Sequence, residues 1–169
     1  MIVAGIDYSI TCPCMCIHNQ FFYFTKIKKY QLNTSIFKGF EYPDTKDDQE
    51  KFDIISEKFL EIIEEYGVSV VYLEGYAFAS KGLVFNIGEN TGLLKHKLYK
   101  ADIPIITPSP GQIKKFATGK GNASKEMMYE AFLKKSSIDL DSPGFTPYKN
   151  PSSDIVDSYF IKEYGLLDI

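Results

Sequence analysis

IVAGID (Ile2–Asp7) and SVVYLE (Ser69–Glu74) are short, almost purely apolar runs, and each ends on a carboxylate. Runs of this length and composition predict buried strands. An acid at the end of such a strand is unfavourable unless it is paired, protonated or bound to a metal, although strand-end acids also cap helices or face solvent. Between the two runs, strand-like segments at Cys12–His18 and Gln20–Lys26 predict a hairpin, so that three consecutive strands run antiparallel. Residues 39–48 (GFEYPDTKDD) read as a polar loop. Phe52, Ile55, Phe59, Ile62, Ile63 and Tyr66 then recur at helical spacing, with Asp47 and Asp48 suited to the start and Gly67 to the stop. Beyond Glu74 the pattern predicts a helix over Leu83–Tyr99, a strand over Ile103–Thr107, short helices at Gln112–Ala117 and Lys125–Lys135, and a last helix over Ser153–Tyr164. A proline- and glycine-bearing loop covers 142–151. No repeat or low-complexity linker interrupts this order. The expectation is an α/β fold with a mixed five-stranded sheet flanked by helices, as a single domain over 1–169.

Hydrophobic residues make up 44% of the chain and charged residues 24%, ordinary values for a water-soluble domain. No apolar run approaches the ~18 residues a membrane span requires. The N-terminal MIVAGIDYSI lacks the basic start and cleavage site of a signal peptide, so an intracellular, cytoplasmic protein is expected. Cys12, Cys14 and Cys16 lie in CPCMC. Alternate side chains on an extended strand stand roughly 6.5–7 Å apart. Sulfurs so spaced do not converge on one ion or pair readily, and small apolar residues of a strand are the expected role.

The net charge of −3 is unevenly distributed: residues 41–74 hold eleven acids and three lysines, whereas 75–135 hold ten lysines and four acids. A solvated surface can look like this, but so can a basic face that follows phosphates. All 19 basic residues are lysine. Lysine is a point charge without the planar fork that reads guanine edges, which favours contact with the nucleic-acid backbone over base readout.

Asp154 and Asp157 stand three residues apart in SSDIVDSYFI and so share a helical face. Alone, the pair could simply complement the helix dipole. With Asp7 and Glu74 they make four hard oxygen donors, the set required by catalysis with two divalent cations ~3.5–4 Å apart. His18 and His96, the only histidines, form no competing triad or zinc spacing. Lys114, Lys115, Lys120 and Lys125 flank GKGN (Gly119–Asn122), where glycines allow a backbone to approach a phosphate. The GxxxxGK[ST] spacing of a phosphate-cradling loop is absent.

GIDYS, YLEGYAF, KKFATGKGNASKEMM and SDIVDSY occur in an order that resembles the RuvC-type Holliday junction resolvases, from residue 2 to about residue 164. The resemblance implies a ribonuclease H-like fold and a homodimer that cuts four-way and other branched DNA, leaving 5′-phosphate and 3′-hydroxyl ends. It implies that Asp7 bridges two Mg²⁺ ions (Mn²⁺ as a substitute), that Glu74 ligates one, and that Asp154 and Asp157 complete the set. Lys114, Lys115, Lys120 and Lys125 would contact DNA, and Tyr76 or Phe78 would stack on an unpaired base. Tyr8 and Ser9 stand where cellular members usually carry proline and glycine, which points to a phage-type member with relaxed sequence preference. The dimer is expected through helix 83–99. There Val84, Ile87, Leu94 and Leu98 would cover the sheet, leaving Leu83, Phe85, Leu93 and Tyr99 over, with Gly88 and Gly92 on one face. The competing readings are a related nuclease that processes RNA, a catalytically inactive DNA-binding module and an actin-like kinase fragment. At 169 residues the chain is too short for the second lobe of such a kinase.

Overall fold

The computed structural model describes residues 1–75 and 84–169. Among these residues six strands form one sheet: β1 (Val3–Asp7), β2 (Cys14–Ile17), β3 (Gln20–Thr25), β4 (Phe37–Glu41), β5 (Val70–Leu73) and β6 (Ile105–Ile106), in the order β4-β3-β2-β1-β5-β6. β1, β2 and β3 run antiparallel in succession, while β5 and β6 extend the sheet parallel to β1. This corrects the expectation of five strands, because residues 39–41 belong to β4, which pairs parallel with β3 from Phe21↔Phe37 to Thr25↔Glu41. Gly39 in β4 lies where a Cβ would stand 2.4 Å from the Tyr30 carbonyl oxygen, so the glycine that resembles loop chemistry permits a close backbone approach.

Among the described residues, five α-helices accompany the sheet: α1 (Asp48–Glu65), α2 (Val84–Lys100), α3 (Pro110–Thr118), α4 (Lys125–Ser136) and α5 (Ser152–Asp168). Their ends follow local chemistry. The Asp47 carboxylate accepts the Glu50 amide at 2.8 Å to start α1. Ser109 and Gln112 form a reciprocal capping box on α3, and Gly119 ends it at φ 81°.

Strand alternation divides the core. Ala4, Ile6, Val71 and Leu73 pack with Ile55, Phe59, Ile62 and Ile63 of α1 and with Leu94 and Leu98 of α2. Val3, Cys14, Cys16, Val70 and Tyr72 pack on the other face with Ile155, Tyr159 and Phe160 of α5. Each fully buried aromatic or aliphatic side chain here contributes about 1.5–3 kcal/mol. In α2 the inward stripe differs from expectation. Leu94 and Leu98 are buried and Ile87 is half-buried, but Val84 is exposed and Asn90 and Thr91 are buried instead. Leu83, expected among the leftover apolar residues, lies outside the described residues.

The contact between α5 and the sheet is unusually close. A Cβ on Gly5 would lie 2.2 Å from the Lys162 amide nitrogen and 2.5 Å from the Ser158 carbonyl oxygen. A Cβ on Gly165 would lie 2.5 Å from the Tyr72 ring. All three cysteines are free and buried, and Cys14 Sγ sits 3.3 Å from Ser158 Oγ. Small side chains on β1 and β2 thus let α5 approach, which is the packing role expected of the cysteines.

Candidate active site

Asp7 and Glu74 end adjacent parallel strands, and the Glu74 amide donates to the Ile6 carbonyl at 3.1 Å, which keeps the two ends level. Strand alternation turns both carboxylates to the face covered by α5. The first turns of α5 bring Asp154, which is 5% exposed, and Asp157, which is half-buried. The four acids predicted from the sequence therefore converge at one end of the sheet.

Their electrostatics record that convergence. The Asp7 carboxyl is pushed well above the usual carboxylate range, first by burial and then by the negative charges of Asp154, Asp157 and Glu74. Burial, with Asp157 beside them, raises both Glu74 and Asp154 to about 7. Burial raises Asp157 to about 6, against the opposing pull of Lys114 and Lys125. Lys114 also acts on Glu74, and Lys125 on Asp7.

Two of the four lysines singled out in the sequence thus face the carboxylates. Lys115, one residue past Lys114, points about 100° away around α3 and is exposed, as is Lys120 in the following turn. Tyr76 and Phe78 lie outside the described residues.

The residue types suit a hard divalent cation, since four neighbouring carboxylates, Asp154 buried and Asp7, Glu74 and Asp157 half-buried, repel one another until positive charge is supplied. Among the described residues, no group of three or more acidic, imidazole or thiol side chains lies close enough together to hold a metal ion. The carboxylates are electrostatic neighbours rather than a closed cage. This repulsion has a measurable sign. A carboxylate whose native pKa lies above its unfolded value near 4 stabilises the fold fully below pH ~4, and that contribution is lost as pH rises through about 6–7. In EDTA the protein is therefore expected to lose stability steadily as pH rises from 5 to 8. Asp157→Asn should flatten that slope, and Mg²⁺ at pH 8 should restore the lost stability. Thermal unfolding across pH, with and without Mg²⁺, is the measurement; a flat profile in EDTA would contradict the mutual repulsion.

A hydrogen-bonded set around the site has no counterpart in the sequence reading. Ser9 Oγ lies 3.3 Å from Asp154 Oδ1 and accepts the Cys12 amide at 3.1 Å, and the Cys12 thiol is turned toward the same carboxylate. Asn150 Nδ2 donates to Thr11 Oγ1 at 3.1 Å, and Ser153 Oγ donates to Asn150 Oδ1 at 3.1 Å. The only sequence signal was the serine two places after Asp7.

No protein-family model matches the chain, and no curated protein matches it by sequence. Solved structures do match in fold. RuvC of Thermus thermophilus, with 18% identity, superposes at a TM-score of 0.68 over 99% of this chain and 97% of that one. Fowlpox virus resolvase in complex with Holliday junction DNA gives 0.56 at 17% identity, over 99% and 98% of the two chains. The yeast mitochondrial Holliday junction resolvase Ydc2 gives 0.56 at 15% identity, over 95% and 75%. The chain therefore has the ribonuclease H-like α/β fold of the RuvC-type resolvases.

Proposed function

We propose that this chain is a divalent-metal-dependent endonuclease that resolves four-way DNA junctions, acting through one nuclease domain over residues 1–169. The observation that carries this reading is the convergence of Asp7, Glu74, Asp154 and Asp157 beside Lys114 and Lys125. The fold supports it as well, since both Thermus thermophilus RuvC and fowlpox resolvase have been captured with junction DNA.

The four carboxylates would hold Mg²⁺, with Mn²⁺ as a substitute, and two bound ions would activate water and stabilise the leaving 3′ oxygen. Asp7 and Asp157 each interact electrostatically with the other three acids; the likeness to the resolvases would make Asp7 the shared ligand. Lys114 and Lys125 balance part of the carboxylate charge and would hold the DNA phosphates flanking the cut. Incubation with labelled four-way, three-way and linear DNA, in Mg²⁺ or EDTA, tests the reading. Paired cuts with 5′-phosphate ends on the four-way substrate, lost in EDTA, are expected. Equal cutting of linear duplex, or cleavage confined to RNA, would overturn junction resolution.

Lys114→Ala, Lys115→Ala and Lys125→Ala should each weaken junction binding and lower the salt slope by about one for each lost phosphate contact. Fluorescence anisotropy at several salt concentrations measures both. Unchanged slopes in all three variants would move the DNA path elsewhere.

A second copy of this chain fits α2. Val84, Phe85 and Tyr99 are 48%, 84% and 74% exposed, and a Cβ on Gly88 or Gly92 would meet nothing within 4 Å. An apolar face with open glycine positions allows a helix of the partner to approach closely, and a two-fold dimer presents one site to each scissile phosphate. Light scattering should give twice the 19.2 kDa chain mass, and Phe85→Asp should return the monomer. A wild-type monomer both free and on junction DNA would remove the dimer.

A further inference from the structure

The segment after Asp7, residues 8–13, joins β1 to β2 and is held from several sides. The Tyr42 hydroxyl donates to the Ile10 carbonyl, and the Phe24 amide donates to the Pro13 carbonyl at 3.1 Å. Asn150, just before α5, donates to Thr11. On this fixed support Ser9 Oγ accepts the Cys12 amide on one of its lone pairs and directs its hydroxyl hydrogen at Asp154 Oδ1, 3.3 Å away.

The two oxygens of Asp154 are not equivalent. Ser153 Oγ is 3.5 Å from Oδ2 but 3.1 Å from Asn150 Oδ1, and its single hydrogen serves the nearer acceptor. Ser9 thus holds Oδ1, with the Cys12 thiol turned toward the same carboxylate.

We propose that Ser9 is a positioning residue for the metal site: its hydroxyl fixes the rotation of the Asp154 carboxylate and so couples the loop behind Asp7 to the ligand supplied by α5. This rests on the metal-dependent nuclease reading above. A hydrogen bond that orients a ligating carboxylate typically changes metal affinity 10–100-fold when removed. The contact spans 145 residues of chain, and it joins the loop that follows Asp7 to Asp154 on α5.

The test uses the full chain and Mn²⁺ as the probe. Mn²⁺ binding is followed by electron paramagnetic resonance, and junction cleavage is measured across Mn²⁺ concentration for wild type, Ser9→Ala, Ser9→Thr and Asp154→Asn. Ser9→Ala is expected to weaken Mn²⁺ binding roughly 10–100-fold and to shift half-maximal Mn²⁺ for cleavage by the same factor. Turnover at saturating Mn²⁺ should fall only a few-fold, and Ser9→Thr, which keeps the hydroxyl, should recover wild-type affinity. Wild-type Mn²⁺ affinity in Ser9→Ala overturns the proposal. So does a loss shared equally by Ser9→Thr, which would trace to the shape of the loop. If Ser9→Ala unfolds, Ser9→Thr binding Mn²⁺ as wild type supports the proposal, and weaker binding in that variant overturns it. A wild-type protein that neither binds Mn²⁺ more tightly than Asp154→Asn nor cuts junctions overturns the nuclease reading itself.

Discussion

Asp7→Asn is expected to lower junction cleavage by about 10³-fold or more while leaving junction affinity unchanged or tighter. The carboxylate feels the charge of the other three acids, and on the proposed reading its loss would remove one of the metal ligands. Lewis-acid stabilisation by such a site amounts to several kcal/mol, and each 1.36 kcal/mol is a tenfold change in rate. Binding moves the other way because one negative charge facing the phosphates has gone. Glu74→Gln, Asp154→Asn and Asp157→Asn should behave in the same direction. Single-turnover cleavage and gel-shift affinity at saturating Mg²⁺ separate the two effects. Near-normal turnover by the Asp7 variant would sink the assignment.

The other large effect is structural. Gly5→Ala is expected to destabilise the fold by more than about 4 kcal/mol, beyond the usual range for one overpacked methyl group. The atoms a new Cβ would strike, at 2.2–2.6 Å, are backbone atoms of Ser158 and Lys162 and cannot swing aside. Relief would require α5 to lift from β1, separating Asp154 and Asp157 from Asp7. Gly111→Ala is the control, because its Cβ would meet only the Gly121 carbonyl oxygen at 3.7 Å. That change should be neutral or stabilise α3 by up to about 1 kcal/mol. Urea midpoints decide the matter: Gly5→Ala unfolding alongside wild type would mean the helix can shift at little cost.

What local pattern encodes, the sequence displayed. The buried face of α1 is the stripe Phe52, Ile55, Phe59, Ile62 and Ile63, and β1 and β5 are the apolar runs that end at Asp7 and Glu74. The four acids could be grouped because their residue type is unusual in such surroundings. Lys114 and Lys125 emerged from the likeness of the GKGN segment to a known family, since lysines on helix surfaces carry no positional signal of their own. What depended on distant partners stayed hidden. β4 contains Lys38, Gly39 and Glu41, poor strand formers, and is a strand because β3 pairs with it. Asn90 and Thr91 occupy inward positions where apolar periodicity placed Val84. The bond between Ser9 and Asp154 joins residues 145 apart, a separation across which no motif speaks.

The assembly of the carboxylate set from β1 and α5 also has a consequence in time. A ribosome that has synthesised everything up to residue 151 has made every strand of the sheet, Asp7 and Glu74 included, but neither acid of α5. Loop closure over such a span comes late in folding. On the proposed reading, nascent or prematurely terminated chains would carry two of the four carboxylates and would not cut, so that cleavage would await the docking of α5.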